Sequence, residues 1–340
     1  MKNVWIFLPC FYLAIAHIAG DNVAVVPDMA VNLGQEIYVI TILSYLVFGS
    51  IIAGVSAWIG VKSRHELVVV VRKLFGSRGK KISALVILAI CIPASVLTGG
   101  LYSGWITNSL FNIPLSFAIP MCIIFFSLLA TGSAHELLKL SNYISLLIVP
   151  AILVIFFYHG FSVPDVKWNS GEINWLLVSA LVGYNAGGMR SALIVETAAY
   201  LAKRGCKTIY LIILAKIIEG TFTLGLVHLI VLAGISGPLA VSNLVSKMSG
   251  PIGLYFFNFI LLCTFISAMV PAMTVNARQV QILTGLSLKC SLFISAVLVY
   301  LGSLLSFAAI IDIMGYAGIL TILFILYTAY ALHKYGLNHS

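Results

Sequence analysis

Apolar runs of about 20 residues follow one another along this chain with only short polar stretches between them. A helix needs about 20 residues to cross the roughly 30 Å of a bilayer's hydrocarbon core. Runs long enough lie at about 4–33, 38–60, 82–107, 114–132, 138–160, 172–200, 208–233, 251–276, 282–302 and 306–332, and they predict ten membrane-crossing helices. The first and sixth are long for one straight span. Of the 340 residues, 61% are hydrophobic and 9% charged, with a mean hydropathy of +1.10. An ordinary globular domain carries about 25% charged residues, so this composition excludes a soluble fold.

Positive residues are retained on the cytoplasmic side of a membrane. Ten spans place 19 Lys and Arg on one side except for Lys167 and Lys247, on the other, and Arg190 and Lys216, inside spans. This predicts an integral membrane protein, of a bacterial plasma membrane, with both termini cytoplasmic. The net charge of +9 lies in the connecting loops, so nucleic acid is not an expected partner. The first apolar stretch also has the form of a signal peptide. Its removal leaves nine spans and places the other basic loops on the wrong side. Ser63 to Arg78 reads as an interfacial helix, and the basic 63–81 loop is expected to contact anionic lipid. Protein partners are not legible. Six cysteines stand singly and seven histidines are scattered, so neither a metal site nor a cofactor is expected.

The loop at 161–171 divides the spans into five and five, predicting repeats over 4–160 and 172–332 within a single membrane domain, 1–340. An odd number of spans per half inverts the second against the first, which is a feature of secondary transporters. The first span of each half is interrupted, by Ala19-Gly20-Asp21-Asn22 and by Gly183-Tyr184-Asn185-Ala186-Gly187-Gly188. Pro27 and Asp28 offer a second place for the first break. Unwound backbone at membrane depth is tolerated only where it lines an enclosed cavity. There, freed N–H groups suit a carboxylate and freed carbonyls suit a cation. Small residues also serve close helix packing, which is the competing reading of both clusters.

With these features the chain resembles the amino acid-polyamine-organocation superfamily, which has the LeuT fold. Gly34-Gln35-Glu36-Ile37, Gly183-Tyr184-Asn185 and Asp312-Ile313-Met314-Gly315-Tyr316 look like the YkvI-like membrane proteins within it. The resemblance implies an all-α polytopic fold of ten transmembrane helices, a 5+5 inverted repeat and interrupted helices 1 and 6. It implies a solute between helices one, three, six and eight.

Gly20, Asp21, Asn22, Gly183, Tyr184, Asn185, Gly187 and Gly188 are thus candidate substrate-binding residues. Arg190, costly at membrane depth, has a planar fork suited to a carboxylate; pairing with Glu196 or Asp21 is the alternative, leaving it a fixed substitute for a coupling cation. The resemblance adds Tyr102 as a cavity hydroxyl, Thr264 and Ser267 as sodium ligands, and Lys139 as the lysine that proton-coupled relatives carry on helix five. Glu196 is a further ion-coupling candidate near the cytoplasmic exit. Lys216 and Glu219, three residues apart, share a helix face and neutralise one another.

The expected function is secondary active transport of a small amino-acid-like or amine solute by alternating access, coupled to sodium or protons. A ligand-sensing receptor subunit of the same fold is the alternative. No nucleotide-binding or hydrolytic motif is present, so the chain is not expected to be an enzyme.

Overall fold

The computed structural model describes residues 22–33, 36–131, 173–202, 206–235 and 238–337, with positions 150 and 154 between them. All regular structure among the described residues is helical. It comprises α1 (Val23–Leu33), α2 (Glu36–Ser63), α3 (Leu67–Phe111), α4 (Leu115–Thr131), α5 (Trp175–Asn185), α6 (Gly188–Tyr200), α7 (Cys206–Ala233), α8 (Ala240–Thr284), α9 (Leu288–Gly302) and α10 (Phe307–Tyr335). Helices α5 and α6 are the two parts of the sixth predicted span. The fifth predicted span lies outside the described residues, as does most of the first.

Five described helices are long and apolar enough to cross a membrane: α2, α3, α8, α10 and Lys207–Ala233 within α7. Large apolar side chains are exposed at the surface of the bundle, on α4, α9 and α10. Phe117 is 68% exposed, Phe293 71% and Leu323 59%, an array that water would not tolerate on a monomer.

Two expectations about boundaries are corrected. Helix α1 runs unbroken through Pro27 and Asp28, so the alternative break there does not form. Helix α8 continues to Thr284 and stops where Gly285 turns left-handed at φ 76°, whereas the apolar pattern predicted an end near 276. Asn276 and Gln279, at and beyond that predicted end, are buried helix residues; Asn276 donates to the Ser95 hydroxyl of α3 at 2.9 Å.

Helices α3 and α8 share a construction. Each begins with a short helical segment, turns sharply at a glycine, and continues as a long helix. The glycines are Gly76 (φ 67°, ψ −161°) and Gly250 (φ 67°, ψ −165°). Both angles lie in a region open essentially to glycine alone. The first short segment is helical where an interfacial helix was expected: Leu67, Val70 and Val71 are buried against the protein while Arg72 and Lys73 are exposed. Phe75 stacks on Tyr327 of α10 at 5.4 Å, and Trp58 packs beside His333 at 6.3 Å. The basic 62–81 stretch and Lys334 therefore lie at one end of the bundle.

Two π-helical segments, Ile42–Val47 in α2 and Val96–Tyr102 in α3, widen the backbone at the depth of the sixth-span break. A π turn frees carbonyls from the ordinary ladder, and serines five residues on satisfy two of them. Ser50 Oγ donates to Tyr45 O at 3.2 Å, and Ser103 Oγ donates to Thr98 O at 2.6 Å.

Candidate functional site

Helix α5 ends at Asn185 because Ala186 (φ −133°, ψ −12°) leaves helical geometry and Gly187 is extended at φ −96°, ψ −175°. Gly188 then restarts the chain at φ +51°. A side chain on Gly188 would collide with Ile90 of α3, and one on Gly183 with the backbone of Gly318 in α10. The glycines thus serve both predicted roles. They permit the break, and they let α3 and α10 approach it closely. Ser179 adds a hydrogen bond to Gly315 O at 2.8 Å on the α10 side.

Beside the break lies a small cavity of about 30 Å³, room for a water molecule rather than a solute as the chain stands. Gly183, Tyr184, Gly187 and Arg190 line it from the sixth span, Ser95 and Thr98 from α3, and Ala268, Met269 and Ala272 from α8. The Tyr184 hydroxyl meets Thr98 Oγ1 at 3.3 Å. Arg190 is 8% exposed. Arg190, the hydroxyl residues Ser95, Thr98 and Tyr184, and the start of α6 thus line the cavity together with apolar residues of α3 and α8.

On the far side of the break a buried polar network ties four elements together. Lys216 Nζ of α7 donates to the Asn185 carbonyl at 2.7 Å and to Glu219 Oε2 at 2.7 Å. Asn22 Nδ2 donates to Glu219 Oε1 at 3.0 Å, and the Tyr45 hydroxyl donates to Asn22 Oδ1 at 2.8 Å. Asn185 Nδ2 donates to Ser44 O, in the α2 π segment, at 3.0 Å. Gly49 makes room for that contact, since a Cβ there would lie 2.8 Å from Asn185 Oδ1.

The candidate residues therefore separate. Gly183, Tyr184, Gly187 and Arg190 share the cavity. Asn22 and Asn185 belong to the network behind it, and Gly188 packs on Ile90. Tyr102 is fully buried, in edge contact with Trp105 at 5.1 Å, and its hydroxyl faces the Asp28 carboxylate rather than the cavity. Thr264 Oγ1 donates to Leu261 O at 2.7 Å and Ser267 Oγ to Thr264 O at 2.6 Å; both donors are spent on their own helix, and both oxygens retain lone pairs. Glu196 is exposed on α6. Gly20, Asp21 and Lys139 lie outside the described residues.

Sequence reasoning missed Ser44 and Tyr45, which became visible only with the π segment. It treated Lys216 and Glu219 as a self-contained pair, whereas Lys216 also binds the end of α5 and Glu219 also binds Asn22.

No protein-family model matches the chain, and no curated protein matches its sequence. Solved structures do match. The inward-facing conformation of Mhp1 superimposes with a TM-score of 0.60 at 17% identity, over 94% of this chain and 73% of that one. The fold is that of the LeuT-like secondary transporters. Mhp1, described as a nucleobase-cation-symport-1 family transporter, also matches in a closed conformation with bromovinylhydantoin bound. That match has a TM-score of 0.56 at 18% identity, over 95% of this chain and 75% of that one. A mutant manganese transporter of Eremococcus coleocola gives 0.57 at 14%, over 96% and 78%. These neighbours are transporters rather than enzymes. At such identities the likeness carries the LeuT-like fold to this chain, and not a solute.

Proposed function

We propose that this protein is an ion-coupled secondary transporter that takes a small amino-acid-like or amine solute by alternating access. The observation that carries the reading is the small cavity at the interrupted sixth span, lined by Arg190, the hydroxyl residues Tyr184 and Thr98 and the start of α6, which alternating access would open to a solute. A fork of N–H donors beside a positive helix end complements a carboxylate, and the apolar wall of Ala268, Met269 and Ala272 suits a small side chain. In this reading the chain has ten helices in a single domain, as inverted repeats over 4–160 and 172–332. Gly20 and Asp21 complete the solute site from helix one. Thr264, Ser267, Lys139 and Glu196 are the ion-coupling candidates. The basic end carrying residues 62–81 faces the cytoplasm, against anionic lipid. The YkvI-like group is the family to which the short motifs point.

The test is the melting temperature of the purified protein against a panel of amino acids and amines. Ligand binding to the folded state raises it. Each solute is measured with and without sodium and at two pH values. A solute-specific rise that sodium or pH enlarges, together with uptake into proteoliposomes, supports coupled transport. A rise without uptake identifies a ligand-sensing receptor. No rise with any solute removes the cavity as a solute site.

A further inference from the structure

The Lys216 ammonium stands where a mobile cation would be expected. Helix α5 ends at Asn185 in the middle of the bundle, and the freed carbonyls at such an end carry the negative pole of the helix dipole. In interrupted helices of this kind, unwound carbonyls and C-terminal helix ends are the groups that coordinate sodium or receive a proton. Here the Asn185 carbonyl receives an N–H of Lys216 at 2.7 Å. The same ammonium meets Glu219 Oε2 at 2.7 Å, and the other carboxylate oxygen holds Asn22 at 3.0 Å. Lys216 is 3% exposed and Glu219 wholly buried.

Mutual neutralisation on one helix face accounts for the Lys216–Glu219 contact alone. It does not account for the bond from Lys216 to the end of α5, nor for the bond from Glu219 to Asn22. The Glu219 carboxylate and the Asn185 main-chain carbonyl are oxygen ligands of the kind a small hard cation takes, and the Asn22 amide nitrogen holds the carboxylate in place. The ammonium already bridges the two ligands. Arg190 lies close enough to Lys216 for the two positive charges to repel, which further disfavours an added cation.

We infer that Lys216 is a tethered cation filling a latent monovalent-cation site between the end of α5, α7 and the start of α1, so that this site takes no sodium. Its meaning for coupling rests on the transporter reading, whereas its test needs no solute and stands or falls separately.

The melting temperature of the full-length protein is measured in sodium chloride and in choline chloride at equal ionic strength, without solute. The unaltered chain is expected to melt at the same temperature in both salts. Lys216→Ala leaves the carboxylate and carbonyl facing a vacancy of about ammonium size. It is expected to melt lower in choline and to recover several degrees in sodium, saturably, with lithium and potassium ranked by size. Lys216→Ala combined with Glu219→Gln is expected to lose that recovery. A Lys216→Ala protein that folds and shows no sodium-specific recovery overturns the inference. So does a sodium-specific rise in the unaltered chain that disappears in Glu219→Gln. If neither variant folds, the unaltered chain still decides. A sodium-specific rise that persists in Thr264→Ala/Ser267→Ala overturns the inference, and its absence or its loss in that double variant supports it.

Discussion

Asp28 of α1 caps α8 from across the fold: its carboxylate accepts from Ala240 N at 2.7 Å and from Leu239 N at 3.0 Å. Leu239 occupies the capping position in a left-handed conformation (φ 60°, ψ 46°) and has no side chain able to cap. Helix N-termini leave several N–H groups unsatisfied and favour negative charge. The carboxylate meets both needs. Asp28→Ala is expected to lower stability by about 1.5–3 kcal/mol, the range for hydrogen bonds to a charged group, and Asp28→Asn by less. Thermal unfolding in detergent reads both, and an unchanged midpoint in Asp28→Ala contradicts the cap.

Arg190 is predicted to recognise a solute carboxylate. Arg190→Lys keeps the charge and loses the fork, which is expected to weaken binding about tenfold, or about 1.4 kcal/mol. Arg190→Gln is expected to cost about 100-fold. Solute-dependent melting shifts measure both, once a stabilising solute is known. Equal affinity in Arg190→Gln removes this residue from the site.

Asn185 is adjacent to Tyr184 yet is expected to behave differently. Its amide holds the Ser44 carbonyl of the π segment, so Asn185→Ala is expected to destabilise by about 1–2 kcal/mol through an unsatisfied buried carbonyl. Solute affinity should stay close to that of the unaltered chain. An affinity loss as large as that of Arg190→Gln, at normal stability, would place Asn185 in the cavity instead.

At Gly188 a side chain meets two obstacles. The left-handed backbone costs about 1–2 kcal/mol for alanine, and Ile90 occupies the space. Gly188→Ala is therefore expected to be strongly destabilising, and part of that loss should vanish in an Ile90→Ala background. A double-mutant cycle on unfolding midpoints tests this, with a coupling of about 0.5–3 kcal/mol expected for residues in contact. Strict additivity contradicts the close approach.

The interruption at 183–188 was legible because glycine and asparagine stand out in an apolar run, and the structure breaks that run at Ala186-Gly187. Pro27-Asp28 looked like a comparable interruption and is not one. Proline costs a helix one internal hydrogen bond, and α1 remains continuous through it with Asp28 bonded to α8. The eighth span runs past its predicted end near 276 for a related reason: polarity marks a loop only when no partner inside the fold receives the polar group, and Asn276 has Ser95.

Hydropathy determined that the chain lives in a membrane and crosses it as helices, because backbone polar groups in lipid must be satisfied within the helix itself. The glycine cluster marked one break. The direction of each polar side chain was decided by tertiary structure alone. Neighbouring residues at the break point to opposite sides, Tyr184 to Thr98 and the cavity, Asn185 to Ser44 and the buried network. Lys216 finds a main-chain carbonyl that exists as an acceptor only because another helix stops there. Such groups are satisfied by partners 31 to 141 residues away, and no local pattern records where another helix will end.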